Sequence, residues 1–141
     1  MSPIAVAEAF ERAPLLAERV GSGGGADAII ARARAALATM TEEERVAVLD
    51  AHPRIGSTAG LSARSAAEQS GVADRATLET LERLNEAYER RFGFRFVVFV
   101  HGRSRAEIVP ILEGRLRRSR DEELAHGLEE FLAIARDRLS R

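Results

Sequence analysis

Only one stretch of this chain has the composition of a buried β-strand. Residues 94–101 (FRFVVFVH) form a nearly continuous run of β-branched and aromatic side chains, a pattern that favours extended backbone over helix. No second run of this kind is available to pair with it, and a small isolated sheet is barely stable in water. We therefore expect an all-α fold in which residues 94–100 form one extended apolar segment among the helices.

Helical signals occupy most of the remaining chain. Ser/Thr-x-x-Glu capping patterns at Thr41, Ser104 and Ser119 mark three helix starts. Together with the Ala- and Leu-rich segments between Gly and Pro interruptions, they predict about seven to eight helices. At 141 residues with 45% hydrophobic residues, the chain is long enough to bury one core. We expect residues 1–141 to form a single domain, a helical bundle.

Charge balance and missing residue types exclude several classes of function. The chain has 21 Lys+Arg against 22 Asp+Glu, so no net field attracts nucleic acid or an anionic membrane. It has no Cys and no Lys, which excludes thiol nucleophiles, thiolate metal sites and Schiff-base lysines. Neither an export signal nor a run of membrane-spanning length is recognised. We expect a cytoplasmic protein that binds neither nucleic acid nor membrane and uses no metal or organic cofactor.

Two groups of polar residues stand apart from the helical core pattern. His52 directly precedes Pro53, which disfavours helical backbone in the residue before it and places this histidine just beyond a helix end. Ser65, Glu68 and Gln69 lie at positions i, i+3 and i+4 of a short predicted helix, so their side chains emerge from one face. Taken singly, each group also has a structural explanation, as a helix terminator and as solvated surface.

Arginines and a histidine near the C-terminus are harder to interpret. Arg138 continues the apolar face of the last predicted helix, three positions beyond Ala135. A cation in the last turn also suits the helix dipole, so a structural and a functional role are about equally favoured. The basic run at residues 115–120 (RLRRSR) lacks interleaved aromatics and faces an acidic run, so we interpret it as a solvated turn. His126 lies off the apolar stripe and is expected to be exposed.

In combination, these motifs resemble one enzyme family. HPRIG (52–56), SAAEQSG (65–71), LNEAYERRFGFRFVVFVHGRS (84–104) and IARDRL (134–139) are similar in order and spacing to the 2-oxo-4-hydroxy-4-carboxy-5-ureidoimidazoline (OHCU) decarboxylases. These enzymes complete the conversion of urate to allantoin. The resemblance covers almost the whole chain. It implies an all-helical, cofactor-independent lyase that forms (S)-allantoin and CO₂ and is commonly a homodimer.

The resemblance also assigns roles to individual residues. His52 corresponds to the proton donor, with Glu68 as a second catalytic residue. The positions that correspond to substrate-binding residues are Pro53, Ser65, Gln69, Phe96, Val97, Val98, Phe99, Val100 and Arg138. Two positions depart from the usual pattern, because Arg54 stands where many members have Asp and His101 where many have Arg or Lys.

The implied reaction is chemically possible without a cofactor. Loss of CO₂ from a ring carbon leaves an electron pair that the adjacent C=N and carbonyl groups delocalise, so the protein must bind the substrate, stabilise negative charge and deliver a proton to one face. Histidine, which titrates near neutral pH, suits that last step. The alternative is a helical interaction or regulatory module without catalysis, which predicts exposed apolar stripes and a surface-lying Arg138.

Overall fold

The structure, a computed structural model, describes residues 16, 20, 23–55 and 75–140. Its helices are α1 (Ala26–Thr39), α2 (Glu42–Asp50), α3 (Arg75–Phe92), α4 (Arg105–Arg115) and α5 (Arg120–Leu139). The described ranges contain no β-strand, so the predicted all-α class is confirmed for them. Residues 23–55 and 75–140 contain five helices, and the predicted count of seven to eight refers to the whole chain. No helix in these ranges is long and apolar enough to cross a membrane.

Side-chain caps set the starts of three helices. Thr41, Ser104 and Ser119 each accept a hydrogen bond from the amide three residues on, and the glutamate at that position accepts one from the cap residue's amide. These reciprocal bonds satisfy amide donors that a helix start leaves open. At the other end of α3, Gly93 adopts a positive φ of 82° and its amide donates to the Glu89 carbonyl at 2.8 Å. Local sequence therefore fixes these boundaries.

α5 is the centre of the bundle. Both α1 and α2 pack against it, while α3 packs against α4. The predicted apolar stripe of α5 is buried and consists of Leu124, Leu128, Phe131 and Ala135. Arg138 continues this face and is only 5% exposed. The interaction-module alternative predicted exposed stripes and a surface arginine, and α5 shows neither.

The connection between α3 and α4 passes through the core instead of over it. Residues 94–100 contain neither helix nor strand. The buried side chains of this segment are Phe94, Phe96, Val97 and Val98. Side chains bond to its backbone: Arg115 Nη1 donates to the Val97 carbonyl at 2.7 Å, and the Phe99 amide donates to Glu130 Oε1 at 3.3 Å. α4 and α5 thus supply hydrogen bonds that a neighbouring strand would supply in a sheet.

Candidate active site

His52 lies directly after the end of α2, where Pro53 was predicted to place it. α2 ends at Asp50, and the His52 amide donates to the Leu49 carbonyl at 3.1 Å. The residue is only 7% exposed. Its imidazole meets the ring of Phe131 on α5 in a T-shaped arrangement, with the ring centroids 6.4 Å apart. The histidine is therefore packed against the central helix with a defined ring orientation.

Contacts on both sides fix the turn that carries His52. The amide of Arg95 donates to Asp50 Oδ1 at 2.9 Å, and its guanidinium Nη1 donates to the His52 carbonyl at 3.1 Å. Arg54 forms a bidentate ion pair with Glu89 of α3 at 2.6 and 3.0 Å, and its hydrogen bond to that carboxylate raises the pKa of Arg54. The residue that departs from the family pattern thus ties the turn to α3.

A cavity of about 10 Å³, room for about one water molecule, lies beside this turn. It is lined by His52, Pro53, Ile55, Phe96, Val98, Val100 and Ile134. Three of the predicted binding positions in the described residues, Val97, Phe99 and Arg138, are not among the lining residues. The structure therefore brings His52 and Pro53 together with alternate residues of the apolar segment. Ile55 and Ile134 were missed by sequence reasoning.

Arg138 belongs to the same side of α5 as the cavity. It follows Ile134 by four residues, which is about one helical turn, so the two side chains share a helix face. This spacing was a signal that could have identified Ile134, since Arg138 was already a candidate. A buried arginine one helical turn from a cavity-lining residue can offer a planar pair of donors to a carboxylate or a carbonyl.

Three predicted site residues, Ser65, Glu68 and Gln69, lie outside the described residues. Their proposed position on one helix face therefore stays a prediction. Within the part of the chain that is described, no group of three or more His, Cys, Asp or Glu residues is arranged to hold a metal ion.

A buried network of charged residues that contacts the apolar segment was not predicted from the sequence. Arg115 Nε donates to Glu123 Oε1 at 2.7 Å, with side-chain exposures of 6% and 0%. The Tyr88 hydroxyl donates to the same oxygen at 2.6 Å, and its burial, followed by this hydrogen bond, raises its pKa. The interpretation of residues 115–120 as a solvated turn is wrong for Arg115. Its spacing of three from Leu112 puts it on the buried face of α4, a signal that the local charge run obscured.

The predicted exposure of His126 is also wrong, because this residue is half-buried. Arg118 Nη1 lies 2.8 Å from His126 Nδ1. A guanidinium has only donors, so Nδ1 must be the acceptor and carries no proton in this arrangement. Burial and the nearby charge of Arg115 lower the pKa of His126.

We expect His126 to make the fold less stable in mild acid. Its pKa is lower in the folded state than in the unfolded chain, where it is about 6.5. The unfolded state therefore binds more protons as the pH falls below that value, so the stabilisation present above it is lost. The free energy of unfolding in urea, compared at about pH 7.5 and about pH 5.5, should fall more for the wild type than for His126→Gln. Equal decreases in the two proteins would show that His126 does not carry this dependence.

The described part of the chain is a helical fold with a buried histidine beside a cavity lined mainly by apolar residues. Residues 4–140 match the sequence profile of a family described as OHCU decarboxylase. This chain belongs to that family of decarboxylases, which act in urate degradation. The resemblance seen in the motifs is thereby confirmed.

Individual relatives agree with this assignment. The OHCU decarboxylase of Haloferax volcanii is 32% identical over 143 residues, which cover 96% of this chain and 85% of the relative. The uric acid degradation bifunctional protein PucL of Bacillus subtilis is 34% identical over 102 residues, covering 70% of this chain and 21% of that protein. A crystal structure of OHCU decarboxylase in the presence of (S)-allantoin has a TM-score of 0.77 at 22% identity, covering 96% of this chain and 95% of that one. This last similarity supports the fold.

Proposed function

We propose that this chain converts OHCU to (S)-allantoin and CO₂, with His52 as the proton donor. The reaction class follows from the family. The observation that carries the assignment of the acid is the position of His52, buried beyond the end of α2 at a cavity shared with Phe96 and Val98. Few side chains can protonate carbon near neutral pH, and histidine is the one most often used for such transfers.

The step balances without a further reactant. The bond between the ring carbon and the carboxylate breaks, CO₂ leaves, and the electron pair is delocalised over the adjacent C=N and carbonyl groups. Protonated His52 then transfers its proton to the neighbouring ring carbon, the former C=N carbon that carries the ureido group, and becomes neutral. The hydroxyl on the decarboxylated carbon becomes the carbonyl of allantoin, and its proton moves to the ring nitrogen. Ile55 and Ile134 line the cavity beside His52, and apolar side chains around a reacting group strengthen interactions with developing negative charge. Delivery from one side sets the configuration of the product.

We propose that the apolar segment binds the ring through its backbone. The Val97 carbonyl and the Phe99 amide are engaged by Arg115 and Glu130. For the backbone groups of Phe96 and Val98, no hydrogen bond to another described residue is seen. Side chains that line the cavity come from alternate residues, which is typical of extended backbone. Such a segment offers donors and acceptors along one edge to a planar, polar ligand.

The remaining roles follow from residue chemistry. Glu68 orients His52 and keeps it charged, or binds the ureido N–H groups. Ser65 and Gln69 add neutral hydrogen bonds to the substrate, and Arg138 binds its carboxylate or a carbonyl through a planar fork. The burial of Arg138 one turn from a cavity-lining residue supports the last of these assignments.

Several properties of the whole protein are proposed from the family resemblance. We propose one domain over residues 1–141 with seven to eight helices, a homodimeric assembly, a cytoplasmic location and catalysis without metal or organic cofactor. Size-exclusion chromatography with light scattering tests the assembly. Turnover after exhaustive chelation tests the last point, since a loss that an added metal restores would contradict it.

Circular dichroism tests the reaction directly. Freshly generated OHCU decays without catalysis to racemic allantoin, which has no circular dichroism. With the protein present, we expect a faster reaction and the signal of (S)-allantoin. Heat-denatured protein at the same concentration is the control. An unchanged rate with a racemic product would refute the proposed function.

Arg138→Lys should weaken substrate binding and slow turnover. Lysine keeps the charge but loses the two parallel donors, so we expect kcat/KM to fall about tenfold. Arg136→Lys is the matched control, because Arg136 is exposed on the same helix and pairs with Asp27 at 2.6 Å. Steady-state kinetics of both variants give the comparison. If kcat/KM is the same in both variants, the planar guanidinium of Arg138 does not bind substrate.

A further inference from the structure

We propose that Arg115 is a positioning residue for the substrate-binding segment. It contacts the Val97 carbonyl and the Phe96 ring and so sets where the backbone of the segment meets the ring of the substrate. This inference rests on the proposed function, because it takes the cavity beside His52 as the place where OHCU binds.

Arg115 contacts two consecutive residues of the segment with one planar group. Nη1 donates to the Val97 carbonyl at 2.7 Å. The guanidinium carbon lies over the Phe96 ring, 4.5 Å from its centroid. A hydrogen bond in the guanidinium plane and a ring against its face restrict both the distance and the tilt of the segment.

The guanidinium is itself fixed by a buried partner. Glu123 Oε1 accepts from Arg115 Nε at 2.7 Å and from the Tyr88 hydroxyl at 2.6 Å. Glu123 Oε2 lies 3.5 Å from Arg118 Nη1. Tyr88 is on α3, Arg115 on α4 and Glu123 on α5. The network therefore connects the segment to three helices.

Phe96 connects this network directly to the cavity. Its side chain lies beneath the guanidinium and also lines the cavity with His52. The Val97 carbonyl points to Arg115, and in extended backbone the carbonyls of neighbouring residues point the opposite way. Arg115 therefore fixes the orientation of this stretch of backbone, with the carbonyls of Phe96 and Val98 pointing away from the guanidinium. Small displacements of such groups are costly to binding and catalysis.

The test uses variants that break the contact with the segment and leave no buried charge without a partner. Arg115→Met combined with Glu123→Gln removes both charges, and the glutamine oxygen still accepts from Tyr88. Arg115→Lys alone keeps the charge and loses the planar group. Arg120→Met is the matched control, since Arg120 Nε donates to the Phe92 carbonyl at 2.9 Å and its guanidinium carbon lies 5.3 Å from the centroid of a phenylalanine ring outside the cavity lining.

KM and kcat are measured separately, with OHCU generated in situ and the product followed by circular dichroism. We expect the double variant to raise KM about tenfold with kcat within about threefold of the wild type. Arg115→Lys should give a smaller rise, and Arg120→Met should keep the wild-type KM. A purely structural role would reduce the active fraction, which lowers the apparent kcat and leaves KM unchanged.

An unchanged KM in the double variant overturns the inference, whatever happens to kcat. If that variant does not fold, Arg115→Lys decides, because a wild-type KM there also overturns it. A wild-type protein that yields only racemic allantoin at the spontaneous rate refutes the proposed function, a result distinct from an effect limited to Arg115.

Discussion

His52→Asn is expected to lower the rate of (S)-allantoin formation by about 10² to 10⁴ while the protein stays folded. Asparagine can keep a hydrogen bond at this position but cannot donate a proton near neutral pH. The histidine lies beyond the end of α2, so no helical hydrogen bond depends on its side chain. It does pack against Phe131, and we expect a decrease in the free energy of unfolding of about 1 kcal/mol.

His101→Asn is the matched control for this variant. His101 is exposed and has a φ of 50°, a conformation that asparagine tolerates well. Initial rates by circular dichroism and thermal melting separate an effect on the site from an effect on the fold. If folded His52→Asn forms (S)-allantoin at a rate close to that of the wild type, the assignment of the proton donor is wrong.

Glu123→Leu should give the largest loss of stability of any single substitution considered. It leaves the Arg115 guanidinium buried without its carboxylate and removes the acceptor of the Tyr88 hydroxyl. Breaking a buried ion pair from one side costs about 3–5 kcal/mol, because the remaining charge is desolvated and uncompensated. Urea denaturation followed by far-ultraviolet circular dichroism measures the difference in the free energy of unfolding.

Two further variants make this measurement specific to the buried ion pair of Arg115 and Glu123. Glu129→Gln removes an exposed ion pair, in which the Arg34 side chain is 56% exposed and the Glu129 side chain 57% exposed. It should lower the free energy of unfolding by at most about 1 kcal/mol. Adding Arg115→Met to Glu123→Leu removes the uncompensated charge and should recover most of the lost stability. A Glu123→Leu protein as stable as Glu129→Gln would mean that the pair is not buried in solution.

Local sequence rules predicted the features that depend on neighbouring residues. The three capping boxes start α2, α4 and α5 as expected, because the cap and its glutamate are only three residues apart. Pro53 predicted that His52 would lie outside α2 because it restricts the residue before it. The face of α5 that carries Leu128 and Arg138 followed from helical periodicity.

Features that depend on tertiary packing could not be predicted in the same way. The interpretation of residues 115–120 considered charge along the chain, whereas the buried surroundings of Arg115 come from Glu123 on another helix and from the Val97 carbonyl. The cavity beside His52 joins parts of the chain that are about 80 residues apart, from Pro53 to Ile134. Periodicity identifies the face of a helix but not the element that packs against that face.

The arrangement of α5 limits how the length of this chain can vary during evolution. Glu123 of the buried network, Phe131 against His52, Ile134 at the cavity and Arg138 all belong to this one helix. A single inserted or deleted residue between the first two would rotate everything after it by about 100° and shift it by about 1.5 Å along the axis. The network and the cavity would then no longer face their partners together. Insertions and deletions should therefore be excluded from the interior of α5 and tolerated only beyond its ends.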